Sequence, residues 1–449
     1  MKREASTLLA GWFQRLGRSR FLRNVAVVTS GTAAAQAITI AFSPIITRLY
    51  GPDAFGNLGV FVAVVAVLSP VVTLAYGRAI VLPASDRDAE ALLRLSLLVG
   101  IGVSISSAVI FGGLHRQIAR VLGFNVAAQY LLLVPIVLLF SAPEEALSQW
   151  LIRKGQFRSV ARVAVAQSAA VGAAKAGVGL FVATAPALFV LNAVGHALRA
   201  VLLWVGARST LVGQRIRSTD IANRAKLSPL GTVAHTYRDF PMYRAPQALL
   251  NALSQHIPTL MLTAFFGPVP AGFYVLSTHV LTLPSALISE SFGMVFRAHI
   301  AEAGHRGQRL RPLVLKVTVG LAAIGLLPFG VVIAFGPWLF GAVFGADWIT
   351  AGEYARWLAL WVYFMFVAVP CVEAIPLLGL QGQFLLFSVL LVAVRAGTLV
   401  FGALVLTSDV GAIAAFSVAG ALLNIGLTTW VLLSSGGRLR EDLRGESKE

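Results

Sequence analysis

The sequence predicts an all-α polytopic membrane protein: twelve transmembrane helices in two parallel-repeat six-helix bundles around a central cavity. Three observations carry that expectation. First, 57% of the 449 residues are apolar and only 12% are charged, with a mean hydropathy of +0.80. One soluble core could not hide that much apolar surface, whereas in a bilayer apolar surface is the solvated surface. Second, twelve apolar segments can be cut at charge clusters, prolines and glycines, and each helical crossing needs about 20 apolar residues. Third, the basic residues collect in the loops on one side.

The first six segments fall near 25–47, 57–76, 91–113, 126–147, 159–182 and 185–207. The second six fall near 243–265, 270–292, 312–335, 354–379, 384–406 and 410–434. Continuous apolar runs of this length read as helices rather than barrel strands, because backbone groups in hydrocarbon must pair within their own segment. Loops on the N-terminal side hold 25 Lys and Arg, against Arg48, Arg116 and Arg120 on the other. By the positive-inside rule both termini should be cytoplasmic. The expected organisation is a basic N-terminal segment (1–24), an N-lobe (25–207), a cytoplasmic linker (208–241), a C-lobe (242–434) and a basic tail (435–449). The apolar run after residue 24 is too long for a signal peptide's core and lacks a clear cleavage site, so the N-terminus should stay attached. Leu8, Leu9, Trp12, Phe13 and Leu16 among its arginines suit an interfacial helix.

Net charge is +17, with a pI near 10.9. Because the basic residues sit in short loops between apolar spans, topology accounts for them and nucleic-acid binding is not expected. The single cysteine, Cys371, leaves no disulfide framework and no metal-ligand spacing.

The two halves repeat. At an offset of 216, Gly51-Pro52, Gly56 and Gly77 map onto Gly267-Pro268, Gly272 and Gly293. At 227, Pro143 and Gly155-Gln156-Phe157 map onto Pro370 and Gly382-Gln383-Phe384. Six spans per unit keep the repeats in one orientation, related by an axis along the membrane normal, as in transporters. Punctuation of helix ends explains the same glycines and prolines locally.

Three segments together resemble a known family: Ser43-Pro44-Ile45-Ile46-Thr47-Arg48-Leu49-Tyr50-Gly51-Pro52-Asp53-Ala54-Phe55-Gly56, Arg78-Ala79-Ile80-Val81-Leu82-Pro83, and Trp150-Leu151-Ile152-Arg153-Lys154-Gly155-Gln156-Phe157. They look like the Wzx-type polysaccharide flippases of the multidrug/oligosaccharidyl-lipid/polysaccharide exporter superfamily. The resemblance runs over about residues 20 to 435 in helix count and spacing, with its specific motifs mostly in the first half. It implies a V-shaped pair of bundles working by alternating access in the bacterial inner membrane. The implied cargo is an undecaprenyl-pyrophosphate-linked oligosaccharide moved from the cytoplasmic to the periplasmic leaflet. Lipid II flippases of that superfamily usually have fourteen spans; the twelve counted here favour the polysaccharide branch. Expected partners are the lipid-linked oligosaccharide, membrane lipids and other polysaccharide assembly proteins. A repeat that builds its own cavity needs no second chain, so a monomer is expected.

Such cargo needs a polar path, positive charge for the pyrophosphate, and room for the lipid. Thr32, Gln36, Thr39, Ser43 and Thr47 share one face of span 1; Gln247, Asn251, Ser254 and Gln255 are their counterparts in span 7, and Thr278, Thr282, Ser285 and Ser289 line span 8. Helix packing explains small and hydroxyl residues equally well; the amides in spans 1 and 7 tilt those stripes toward cavity lining, by Gln36, Thr39 and Ser43 on one and Gln247, Asn251 and Gln255 on the other. Lys175 in span 5 and Arg395 in span 11 are deep cations on equivalent helices. A basic residue at that depth costs about 2.5–3.5 kcal/mol even on lenient insertion scales, which makes both functional candidates. A buried ion pair, with Glu373 for instance, or snorkelling to an interface are the alternatives. Arg48 and Arg78, in the family-like motifs, are further candidates for a substrate-binding cationic cavity, although each is also near an interface, where an arginine needs no special purpose. His256 and His279 are mid-span and could titrate, but a hydrogen-bonded structural histidine is the expected state of each. Glu144, Glu145 and Glu373, near the cytoplasmic ends of spans 4 and 10, could take a coupling proton or sodium ion, or pair with Arg153, Lys154 or Arg356. No cofactor is expected.

Two other functions compete. A multidrug exporter of the same superfamily usually puts carboxylates in its cavity, whereas span 1 has none and the deep charges are mainly basic. A membrane glycosyltransferase or O-antigen ligase would present a sizeable outer loop with catalytic residues. The largest outer loop, about 336–353, offers only Asp347 and Glu353.

Overall fold

The computed structural model describes residues 20–217, 229–282, 285, 296, 300 and 310–445. Most of the basic N-terminal segment, residues 218–228 of the expected linker, Ser289 and the last four residues lie outside the described residues, as do the side chains from 436 onward.

Among the described residues every regular element is helical. Helix α1 (Arg20–Leu68) covers the first predicted segment and most of the second. It breaks at Gly51, whose φ of 67° and ψ of 171° leave helical geometry. That φ is open to glycine at little cost, and Pro52 restarts the helix with a preset φ. A short helix α2 (Tyr76–Ala79) follows, then α3 (Asp86–Val121), α4 (Val134–Arg153), α5 (Phe157–Gly179) and α6 (Ala185–Arg217). Beyond them come α7 (Leu230–Thr236), α8 (Ala245–Phe266) and α9 (268–282). The chain continues through α10 (Leu310–Phe344), α11 (Ile349–Val367), α12 (Val369–Ala374), α13 (Gln381–Phe401) and α14 (Asp409–Gly445). Eight of the described stretches are long and apolar enough to cross a membrane. Helices α5 and α8, of 23 and 22 residues, cover all but the ends of the predicted segments 159–182 and 243–265.

The chain forms two compact units: residues 1–50 with 60–256, and residues 51–59 with 257–449. The first closes around Trp150, Leu151, Leu92 and Leu203; the second around Trp348, Tyr354, Leu358 and Phe416, all nearly inaccessible. Large apolar side chains also stay outside, such as Val109 at 72% and Leu327 at 75% exposure. In lipid such exposure carries no penalty, and close packing through small residues must hold helices together instead.

Residues paired at the 216 offset meet in the second unit. A side chain on Gly56 would strike the Pro268 carbonyl, and one on Gly272 would strike the Pro52 carbonyl. Gly51 and Gly267 both take positive φ. The 227 offset holds less well. Gly155, with φ 70°, ends the turn before α5, but Gly382 lies inside α13; the positive-φ glycine before α13 is Gly379, at 62°. The chain turns over 375–379 and starts its helix at Gln381, so the backbone equivalence there is 224.

Candidate functional site

Lys175 sits in the last turns of α5, about 27 Å from its first residue at 1.5 Å per residue. Its position is fixed by the backbone rather than by a charge partner. Tyr50 Oη donates to the Lys175 carbonyl at 2.9 Å, the Tyr50 ring lies against Gly179, and Phe42 lies against Gly172. The lysine lines a cavity of about 200 Å³ with Thr39, Gln167, Ser168, Asn192 and His196. No carboxylate lines it, and among the described residues the ammonium makes no ion pair or hydrogen bond.

Asn192 and His196 also line a second cavity, of about 480 Å³, shared by α1, α4 and α6. Arg78, Glu144, Glu145, Ser148, Gln149 and Arg199 contribute to it. Here charge is compensated. Glu145 accepts from Arg78 Nε at 3.2 Å and from Thr73 Oγ1 at 2.7 Å, and His196 Nδ1 lies 3.0 Å from Glu144 Oε1. The first unit therefore holds an electroneutral chamber joined to a cationic pocket.

Two of the family-like motifs meet beside that chamber. Arg153 donates to the Pro83 carbonyl at 2.6 Å and to Asp86 Oδ1 at 3.0 Å, while Lys154 reaches Asp86 Oδ2 at 2.7 Å and covers the Trp150 ring. They clamp the connection between α2 and α3 onto α4. Since half of the Asp86 side chain is exposed, these pairs hold geometry more than they add stability, about 1 kcal/mol or less each.

Arg395 has different surroundings. Its guanidinium carbon lies 4.4 Å from the Trp361 ring centroid and 5.5 Å from that of Phe416. Among the described residues no carboxylate pairs with it, and its buried Nε has no hydrogen-bond partner. Trp361 lies against Gly420, where a Cβ would be 2.8 Å from its ring.

The remaining candidates separate. Gln36 carries a buried Oε1 without a hydrogen bond, and Thr39 is exposed but donates to the Ala35 carbonyl. Ser43 is buried, Arg48 exposed, and Gln247, Asn251 and Gln255 are exposed at helical spacing on α8. Thr278 and Thr282 donate to carbonyls of α9 and Ser285 donates to the Leu281 carbonyl four residues back, as packing hydroxyls do. Glu373 is half-buried on α12, and Arg356 donates to the Ile333 carbonyl. Among the described residues no His, Cys, Asp and Glu group could hold a metal ion. Sequence reasoning passed over Gln149, Gln167, Asn192 and His196. The spacing of Asn192, His196 and Arg199 at i, i+4 and i+7 within an apolar span was the available signal.

The sequence profile of a family described as "Polysaccharide biosynthesis protein" matches residues 45–353. No curated protein matches the chain. Among solved structures, the chain is similar to an inward-facing multidrug resistance MATE family transporter of the MOP superfamily (TM-score 0.70, 12% identity, covering 89% of this chain and 94% of that one). It is likewise similar to the lipid II flippase MurJ in an inward closed conformation (TM-score 0.66, 12% identity, 91% and 90% covered). A third similarity is to a MOP superfamily transporter from Pyrococcus furiosus (TM-score 0.60, 14% identity, 94% and 97% covered). At such identities the likeness is one of fold.

Proposed function

Because the chain belongs to the polysaccharide biosynthesis protein family, we propose that this membrane protein is a flippase for undecaprenyl-pyrophosphate-linked oligosaccharide repeat units. It carries them from the cytoplasmic to the periplasmic leaflet of the bacterial inner membrane by alternating access, for surface polysaccharide assembly. In this reading twelve helices form two parallel six-helix bundles around a cavity, as a monomer, with both termini and the 208–241 linker cytoplasmic. Other polysaccharide assembly proteins supply and receive the cargo. Glu144, Glu145 and Glu373 are the sites for a coupling proton or sodium ion.

The observation that carries the proposal is Lys175, a cation in a polar cavity with no carboxylate facing it. A pyrophosphate leaving water loses its hydration, and opposite charge in a low-dielectric site offsets that loss. A multidrug exporter is the second reading, favoured by the two glutamates in the larger chamber. Both already have partners, however: Arg78 and Thr73 for Glu145, His196 for Glu144. The lipid-linked intermediates of a deletion strain decide between the two. Repeat units accumulating on the cytoplasmic face support the flippase; normal carriers with drug hypersensitivity favour the exporter.

A further inference from the structure

The two cavities of the first unit differ in charge and size yet share a wall. The smaller, about 200 Å³, holds one uncompensated ammonium. The larger, about 480 Å³, balances the guanidiniums of Arg78 and Arg199 against the carboxylates of Glu144 and Glu145. Its volume lies within the range of about 300–1,000 Å³ usual for small-molecule sites, and the smaller cavity lies below it. A bulky charged ligand of either sign gains little net attraction from a chamber whose charges already cancel, whereas a proton or sodium ion can exchange for the partner of a single carboxylate. A neutral ligand rich in hydroxyls gains more, because each hydroxyl both donates and accepts.

The chamber offers unused groups for such a ligand. Among the described residues Glu144 Oε2 makes no hydrogen bond while Oε1 faces His196, and the Ser148 and Gln149 side chains make none either. At the shared wall, Asn192 Oδ1 is buried without a partner. A buried acceptor left unsatisfied costs stability, and a ligand hydroxyl placed there would remove that cost.

We propose that the first unit holds a two-part site for a sugar phosphate, with the phosphate against Lys175 and the attached sugar ring in the chamber lined by Glu144, Ser148 and Gln149. The site rests on the flippase reading for its biological ligand, but its chemistry can be tested separately. Asn192 and His196 stand where the glycosyl–phosphate bond passes between the parts. The cationic pocket supplies affinity for any phosphate, and the chamber chooses the first sugar of the repeat unit.

The test is equilibrium binding to the purified full-length protein, using glucose 1-phosphate, N-acetylglucosamine 1-phosphate, inorganic phosphate and free glucose as probes. At least one sugar phosphate should bind about tenfold more tightly than inorganic phosphate, a difference of about 1.4 kcal/mol. Lys175→Gln should weaken both classes by a similar factor. Gln149→Ala and Ser148→Ala should cut the preference severalfold while leaving phosphate binding unchanged, which also reports an intact fold. Equal binding of sugar phosphates and phosphate by the wild type overturns the two-part site, as does a preference that survives both chamber variants. Those results would leave the flippase reading standing if the deletion strain still accumulates unflipped repeat units. Normal intermediates in that strain would instead remove the flippase reading and leave a sugar-phosphate site of another purpose.

Discussion

Lys175 and Arg395 are the same feature in the sequence, a lone cation deep in an apolar span, yet their surroundings differ in kind. Lys175 opens onto a polar cavity with no counter-charge. Arg395 is laid on the faces of Trp361 and Phe416. Depth in the membrane thus sets the cost of a charge but not how that cost is met. An aromatic face meets part of it permanently, by about 0.5–2 kcal/mol, and strengthens the fold. A polar pocket meets it only partly and leaves the charge available to an anion.

The largest expected effect follows from that contrast. A charge-assisted hydrogen bond to a ligand contributes about 1.5–3 kcal/mol, so Lys175→Gln should lower surface polysaccharide about tenfold to a hundredfold at unchanged membrane abundance. Lys175→Arg should retain much of the activity, and Lys175→Glu should be worst because it repels the cargo. A fall in abundance matching the fall in export would make Lys175 structural and erase the comparison.

Next come the two glycines that shape each setting. Leucine at Gly172 would push Phe42 aside, and leucine at Gly420 would push Trp361 from under Arg395. Overpacking of this kind costs about 1–3 kcal/mol. Gly172→Leu should impair export more than stability, and Gly420→Leu should lower thermal stability more than export. Melting curves and polysaccharide assays on the same two variants would reveal a reversed order.

Arg395 should respond as a packed group. Arg395→Lys and Trp361→Leu should each destabilise the protein by about 0.5–2 kcal/mol, and the double variant by less than the sum, since both remove one contact. Strict additivity in thermal melts would show that the stack contributes nothing. The smallest effect is expected at Arg78. Its side chain is half exposed and paired with Glu145, so Arg78→Gln should change stability by no more than about 1 kcal/mol.

Much of the all-helical fold was legible because bilayer thickness sets helix length: the eight long apolar stretches among the described residues overlap predicted segments, while the short helix Leu230–Thr236 falls inside the expected linker. The Gly-Pro pairs at offset 216 were legible too, since positive φ and close backbone approach both demand glycine. What surrounds each cation was not. Trp361 and Phe416 reach Arg395 from 34 and 21 residues away in sequence, and nothing in their own spacing marks them. Nothing near Arg78 in the sequence pointed to Glu145, 67 residues on, which pairs with it. Arg153 and Lys154, weighed as partners for the glutamates, instead hold Asp86. The shared wall of Asn192 and His196 exists only once α5 and α6 pack together.

The central claim is that the ammonium of Lys175 receives the phosphate of a lipid-linked saccharide. The most direct measurement places a Lys175→Gln chain at wild-type abundance in the deletion strain and determines which leaflet holds the lipid-linked repeat units. Accumulation on the cytoplasmic face, relieved by Lys175→Arg, is the predicted result. Wild-type surface polysaccharide with no accumulation would contradict the claim.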